Sequence, residues 1–161
     1  MAEHILIAYF SRTGNTRKIA NLIHQQLGGT IHEILPKVPY PDSYDEVVDQ
    51  AENEIEAGYK PALRSTLDHI ESYDTIFVGS PNWWSTIAPP VATFLSEYDL
   101  SGKTIVPFCT HGGGGLGRIA KDIARLCPHS TILGTFEIYG TGTGNAQAQV
   151  SAWLRRVGMM H

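Results

Sequence analysis

Residues 4–16 read His-Ile-Leu-Ile-Ala-Tyr-Phe-Ser-Arg-Thr-Gly-Asn-Thr, an apolar run that breaks into a polar loop. The run is typical of a buried strand, and a helical pattern begins directly after the loop. A helix start offers free backbone N–H groups and the positive end of the helix dipole, which together bind phosphate. The sequence therefore predicts a phosphate loop, formed by Ser11, Arg12, Thr13, Gly14, Asn15 and Thr16.

Residues 81–86, Pro-Asn-Trp-Trp-Ser-Thr, follow another apolar run and are called the tryptophan loop below. Two adjacent tryptophans in a loop are costly to expose unless a flat group packs against them. The candidates for binding such a flat ligand are Pro81, Asn82, Trp83 and Trp84. The alternative is that one or both tryptophans only anchor the helix that follows.

Residues 110–117, Thr-His-Gly-Gly-Gly-Gly-Leu-Gly, form a glycine loop after a further apolar run. Consecutive glycines expose backbone N–H groups and bring no side-chain bulk, which suits the carbonyl oxygens at the edge of a flat ring. His111 can stack on that ring or donate to it, or it is a turn histidine without ligand contact. The candidate residues of this loop are Thr110, His111, Gly112, Gly113 and Gly114.

The glycine loop also permits a second interpretation, as a dinucleotide site. Gly112, Gly114 and Gly117 fit the Gly-x-Gly-x-x-Gly pattern, and Glu137 follows about 20 residues later as a ribose ligand would. This alternative leaves the phosphate loop without a function. A nucleotide-kinase P-loop, a zinc site and a serine-hydrolase elbow lack their motifs, so we expect no metal and no catalytic side chain.

The pattern of the whole chain indicates one α/β domain over residues 1–161. Four apolar segments predict buried parallel strands, and a fifth, more alternating segment predicts an edge strand. The buried segments are residues 5–10, 75–79, 104–109 and 131–136, and the edge segment is residues 30–35. Because Pro107 cannot donate a ladder hydrogen bond, we expect its strand to be short or irregular there.

Apolar stripes at helical spacing lie between the strands. They consist of Ile19, Leu22, Ile23 and Leu27; Val91, Phe94, Leu95 and Tyr98; Ile119, Ile123 and Leu126; and Val150, Trp153, Leu154 and Val157. Residues 43–58 predict one more helix, with Val47, Val48, Ala51 and Ile55 facing inward. Alternating strands and helices predict a three-layer sandwich around a five-stranded parallel sheet of order 2-1-3-4-5.

Composition and charge limit the partners and the compartment. The net charge of −4 argues against nucleic acid as a partner. The apolar runs are shorter than the ~20 residues of a membrane span, and no signal peptide is evident. Cys109 and Cys127 lie too far apart for a Cys-x-x-Cys motif and are expected to be buried thiols. We therefore expect a cytoplasmic protein.

These motifs resemble those of the flavodoxin family. The Ser/Thr-x-Thr-Gly-x-Thr pattern of that family matches residues 11–16, and Pro-Asn-Trp-Trp is similar to the Pro-x-Trp-Trp loop of one subgroup. The similarity extends to residues 73–74 before the third strand and 99–103 before the fourth. The resemblance implies one non-covalent FMN, with its phosphate on the phosphate loop and its ring between the tryptophan and glycine loops.

The resemblance implies an electron carrier between partner proteins. Between Asp42 and Glu56 there are seven acidic residues and no Lys or Arg, which is either a solvated helix face or a docking surface for a redox partner. The alternative function is an FMN-dependent NAD(P)H reductase of quinones or other small acceptors, with Trp83, Trp84 and His111 shaping its pocket. The role of the loop 139–145 stays open.

Overall fold

The computed structural model describes residues 4–64, 66–142 and 144–160. The strands are β1 (Ile5–Tyr9), β2 (Thr30–Glu33), β3 (Thr75–Pro81), β4 (Thr104–His111), β5 (Thr131–Ile132) and β6 (Phe136–Tyr139). The helices are α1 (Asn15–Leu27), α2 (Tyr44–Ala57), α3 (Pro89–Glu97), α4 (Ile119–Leu126) and α5 (Ala146–Arg156), with a short 3₁₀ turn at Ile70–Ser72. Within these ranges, no helix is long and apolar enough to span a membrane.

The strands form one parallel sheet in the order β2-β1-β3-β4-β5, with β6 also pairing with β4. This confirms the predicted α/β sandwich and its strand order. Alternate residues of β1 reach opposite faces of the sheet. Leu6 and Ala8 belong to the core that also contains Phe94 of α3, whereas Ile5 and Ile7 belong to the core beneath α1 and α5.

The helices also follow the predicted apolar stripes. The fully buried stripe residues are Ile19, Ile23, Val91, Phe94, Leu95, Ile119, Ile123, Val150, Trp153 and Leu154. The remaining ones are half-buried at the edges of the same two cores. In α2, Val47 and Ala51 are buried, while Val48 and Ile55 are half-buried.

The predicted strand at residues 131–136 is wrong in one respect, because the chain there forms two short strands rather than one. Ile105 pairs with Ile132 and Cys109 with Glu137, so the β5–β6 side contains one more residue than β4 over the same stretch. The extra residue locally disrupts the ladder, as in a β-bulge. It lies opposite the middle of β4.

The expected irregularity at Pro107 is also wrong, since β4 continues without a break through the proline. The carbonyl oxygens of Ile105 and His111 accept hydrogen bonds from the β5–β6 side. Because hydrogen-bonding direction alternates along a parallel strand, Pro107 faces that side too. Pro107, which has no N–H to donate, therefore lies beside the stretch where the hydrogen bonds between β4 and the β5–β6 side are interrupted. The irregularity is in the β5–β6 segment and not in β4.

Gly79 of β3 leaves room for the ring of Phe108 in β4. A Cβ atom on Gly79 would lie 2.3 Å from ring atoms of Phe108, its cross-strand neighbour, which is fully buried. We expect Gly79→Ala to lower the free energy of unfolding by about 1–3 kcal/mol, because the packed ring must move. Urea unfolding measures this loss. Gly134→Ala is the control, since its Cβ would make only an ordinary 3.5 Å contact with Val157; equal losses in both variants would contradict the packing argument.

Candidate functional site

A cavity of about 600 Å³ lies beyond the carboxyl ends of β1, β3 and β4. The strand order reverses here, which is where open α/β sheets bind their ligands. Twelve of the sequence-predicted site residues line the cavity: Ser11, Arg12, Thr13, Asn15, Thr16, Pro81, Asn82, Trp83, Trp84, Thr110, His111 and Gly112. Gly14, Gly113 and Gly114 lie in the same loops but are not part of its lining.

The phosphate loop leads directly into α1. Gly14 is the residue before the helix and has φ 97°, a left-handed conformation that glycine adopts without steric cost. Its N–H donates to Ser11 Oγ at 3.0 Å. The first turn of α1 has no side-chain cap and no acidic residue. Its backbone N–H groups are therefore open to an anion, with no neighbouring carboxylate in that turn to repel it.

The side chains of the phosphate loop differ in their contacts. Thr16 is buried, and its Oγ1 lies 2.8 Å from Oγ1 of Thr110 at the end of β4. Arg12 Nη2 donates to the backbone oxygen of Asp42 at 2.9 Å. Thr13 is exposed and lines the cavity. Thr16 thus joins α1 to the sheet, whereas Thr13 is accessible from the cavity.

The two tryptophans of the tryptophan loop have different environments. Trp83 is half-buried and packs edge-on against Phe10 and Tyr40, with ring centroids 5.3 and 5.1 Å apart. Trp84 remains 46% exposed at the cavity. Trp83 therefore packs into the core and also reaches the cavity, and Trp84 is the more accessible ring.

Trp84 and Ser85 form the centre of a tight turn in which both residues have positive φ, 55° and 67°. Backbone hydrogen bonds between Trp83 and Thr86 close the turn in both directions. The left-handed conformation costs about 1–2 kcal/mol for each residue that is not glycine. Hydrogen bonds to neighbouring segments offset that cost.

Three hydrogen bonds outside the turn hold it in place. The N–H of Ser85 donates to Asn82 Oδ1 at 2.9 Å, and its carbonyl accepts from the Arg118 N–H at 2.6 Å. The Thr86 hydroxyl donates to the carboxylate of Asp122 at the start of α4. The turn is therefore fastened to the helix that follows the glycine loop.

The glycine loop is fixed by Asn82 of the tryptophan loop and by its own His111, which contacts Glu137 of β6. Asn82 Nδ2 donates to the Gly115 carbonyl at 2.7 Å, so this asparagine bridges the tryptophan and glycine loops. His111 accepts the Gly113 N–H at Nδ1, 3.0 Å away, and its Nε2 lies 3.3 Å from Glu137 Oε1. These partners place the proton of a neutral His111 on Nε2. The imidazole is nearly buried and is held rigidly at the cavity edge.

Contacts within the protein explain part of the dinucleotide-like glycine pattern. Gly117 has φ 58°, and a Cβ there would lie 2.6 Å from the Ser85 carbonyl oxygen. Its glycine is therefore required by packing against the tryptophan loop. Glu137, the candidate ribose ligand of the same pattern, interacts with His111. Both residues of the alternative site thus have a structural role.

The two cysteine thiols are buried and free. Burial raises the pKa of Cys109 to about 12 and that of Cys127 to about 11, so both remain protonated at neutral pH. Among the described residues, no group of three His, Cys, Asp or Glu side chains is placed to hold a metal ion.

Sequence reasoning missed two sides of the cavity. One is formed by Tyr44, Val47, Val48 and Ala51 of α2, and the other by Tyr139 at the end of β6 and Gly140 directly after it. The spacing of the α2 residues correctly showed which face is covered, but it could not show that this face covers a cavity. Tyr139 belongs to the loop 139–145, whose Thr143 lies outside the described residues. Tyr139 is 66% exposed, and its ring lies edge-on to the ring of His111.

The comparison with protein families now assigns the chain. Residues 4–157 match the sequence pattern of the flavodoxin family. The chain belongs to the flavodoxin family. A comparison with curated protein sequences finds no significant match.

Solved structures are similar to this flavodoxin over nearly its whole length. A protein of Bacteroides eggerthii inferred to be a flavoprotein is 30% identical, covers 96% of this chain and 97% of its own, and has a TM-score of 0.83. A second protein, from Bacteroides uniformis and also inferred to be a flavoprotein, is 28% identical; the match covers 96% of this chain and 99% of that protein, with a TM-score of 0.85. A flavoprotein from Lactobacillus acidophilus in complex with FMN is 20% identical; the match covers 94% of this chain and 99% of that protein, with a TM-score of 0.77.

The buried hydroxyl pair of this flavodoxin generates a stability prediction. Thr110→Val leaves the Thr16 hydroxyl buried without its partner, so we expect a loss of about 1–3 kcal/mol in the free energy of unfolding. Thr16→Val should have a similar effect. The double variant should lose clearly less than the sum, because no orphaned hydroxyl remains. Urea unfolding of the protein without ligand tests this cycle, and strictly additive losses would show that the pair does not interact.

Proposed function

We propose that this flavodoxin binds one FMN non-covalently in the cavity and carries electrons between partner proteins in the cytoplasm. The observation that carries the proposal is the convergence of an uncapped helix start, an exposed tryptophan and a glycine loop on one cavity. Bound FMN supplies the redox chemistry, while the protein supplies binding, orientation and electrostatics. The complex of the Lactobacillus acidophilus protein with FMN supports this choice of cofactor.

The residues present fit the phosphate of FMN. The backbone N–H groups at the start of α1 and the Thr13 hydroxyl point to an anion at this end of the cavity. The Arg12 guanidinium also lines the cavity and has five donor hydrogens, only one of which is needed for the Asp42 carbonyl. Gly14 allows the left-handed turn that leads into the N–H groups at the start of α1.

The residues at the other end of the cavity fit a flat ring. Trp84 offers an aromatic surface, and the glycine loop offers backbone donors for carbonyl oxygens. His111, fixed by Gly113 and Glu137, bounds this end with a ring that is held in place. A volume of about 600 Å³ lies within the range of about 300–1,000 Å³ that is usual for cofactor sites.

The charge on α2 supports the role of an electron carrier over that of a reductase. Val47 and Val48 line the cavity, while Asp45, Glu46 and Asp49 of the same helix are exposed. Within the described ranges, the acidic residues from 42 to 56 form no salt bridge. Their uncompensated negative charge lies beside the cavity and can steer a partner with a basic surface toward the cofactor.

FMN binding is tested by separating the phosphate from the ring. We expect Thr13→Val to weaken FMN binding about tenfold or more, because a hydrogen bond to a charged group is lost. The affinity for riboflavin, which has no phosphate, should not change. Quenching of flavin fluorescence gives both dissociation constants. Thr131→Val, an exposed threonine at the opposite end of the sheet, is the matched control. Equal losses for both flavins would remove the phosphate assignment.

The carrier role is tested by the choice of electron donor and acceptor. In anaerobic titrations of the FMN-loaded protein, NADPH should leave the visible flavin absorbance unchanged, whereas dithionite should bleach it. Rapid bleaching by NADPH alone would instead establish the reductase. Electron transfer from the reduced protein to cytochrome c, a basic haem protein, should slow in the double variant Asp45→Lys with Glu46→Lys, because the attraction is lost. Glu97→Lys, exposed at the end of α3, is the control and should not slow it.

A further inference from the structure

Helix α2 forms one wall of the FMN cavity in the function proposed above, on which this inference rests. Val47, Val48 and Ala51 face the cavity, and the opposite face of the helix is acidic and exposed. Along the chain, Gly58 follows the helix in a left-handed conformation, and a Cβ there would meet no atom within 4 Å. The helix packs beside α3 at the edge of the structure. Its position over the cavity is set by the packing of the buried Val47 and Ala51 and by the hydrogen bonds described next.

Two side chains hold α2 in place, Trp84 from the cavity wall and Tyr40 from behind Trp83. Trp84 Nε1 donates to the backbone oxygen of Val48 at 2.9 Å. Tyr40, which packs against Trp83, donates its hydroxyl to Glu54 Oε1 at 2.7 Å, roughly 1.7 turns further along the helix. The first bond is to the main chain of α2, so it fixes the helix itself and not only a flexible side chain.

The conformation of Trp84 makes this contact specific. An exposed tryptophan gains little by adopting φ 55°, and the turn is kept there by the hydrogen bonds of Ser85 and Thr86 to Asn82, Arg118 and Asp122. These bonds present the indole N–H to α2. At the same time the indole is nearly half exposed, so its hydrogen bond can exchange with water at modest cost.

We propose that α2 is a movable wall of the FMN cavity, and that Trp84 is the positioning residue that holds it closed and sets the rates at which FMN enters and leaves. FMN passes when the Trp84–Val48 bond is open. Weakening the bond raises the open population both of the free protein and of the complex. Association and dissociation of FMN then accelerate together, and the dissociation constant changes less than either rate.

This pattern separates a positioning role from two simpler ones. A tryptophan that only stacks on the bound ring would, on removal, raise the dissociation rate without raising the association rate. A tryptophan that only supports the loop would, on removal, lower the association rate. If the wall must open for FMN to pass, removal of the contact instead raises both the association rate and the dissociation rate.

The test compares conservative variants by stopped-flow quenching of flavin fluorescence. Trp84→Phe keeps an aromatic ring but has no N–H, and we expect both rates to rise about threefold to tenfold, the range of one net hydrogen bond. Tyr40→Phe removes the second contact and should act in the same direction. Trp153→Phe is the matched control, because Trp153 also donates its indole N–H to a backbone carbonyl, that of Gly134, far from the cavity. The control should leave both rates unchanged.

Hydrogen exchange of the protein without FMN gives a second, independent readout. In Trp84→Phe, the backbone amides of α2 should exchange faster than in the parent protein, while those of α3 should not change. Unchanged exchange in α2, or a rise in the dissociation rate alone, would overturn the proposal. If the parent protein bound no FMN, the proposed function would fail, and the exchange experiment would still decide whether Trp84 holds the helix.

Discussion

The buried hydrogen bond between the hydroxyls of Thr16 and Thr110 is the constraint on which the geometry of the site depends. Thr16 belongs to the first turn of α1, and Thr110 is the second-last residue of β4 and the first residue of the glycine loop. In an environment of low dielectric, neither hydroxyl can lose the other without a penalty. The bond therefore holds the anion-binding end of the cavity at a fixed distance from the end that receives a flat ring.

The side chain of Asn82 links the tryptophan loop to the glycine loop. Asn82 accepts a hydrogen bond from Ser85 in its own loop and donates one to Gly115 in the next. The strained Trp84–Ser85 turn is thereby stabilised by groups that also position the glycine loop. Strain in such turns persists where the surroundings over-determine the conformation, and it commonly marks functional sites. Here it presents an indole ring to the cavity and an indole N–H to α2.

The features that sequence could predict are those set by burial and by local chain geometry. Continuous apolar runs such as residues 75–79 predict central strands, because both faces of a parallel strand are covered. A run followed by Thr-Gly-Asn-Thr predicts a helix start, because glycine at position 14 permits the left-handed turn. The direction in which each backbone group of β4 points is not encoded in such patterns. The accommodation of Pro107 by the interrupted β5–β6 side was therefore not predictable.

The same limit explains why residue type alone did not distinguish the two tryptophans or place α2. Trp83 and Trp84 are adjacent and chemically identical, yet only the first meets Phe10 and Tyr40. Which one is covered depends on the reversal of the chain between them. The apolar stripe of α2 likewise indicates only that something covers it. Part of the stripe, Val47, Val48 and Ala51, lines the cavity, and the Trp84 indole donates to the backbone of α2 at the rim of that cavity. A hydrogen bond at an exposed rim can exchange with water at modest cost, so a helix held partly by such a bond is suited to form the wall of a cofactor cavity.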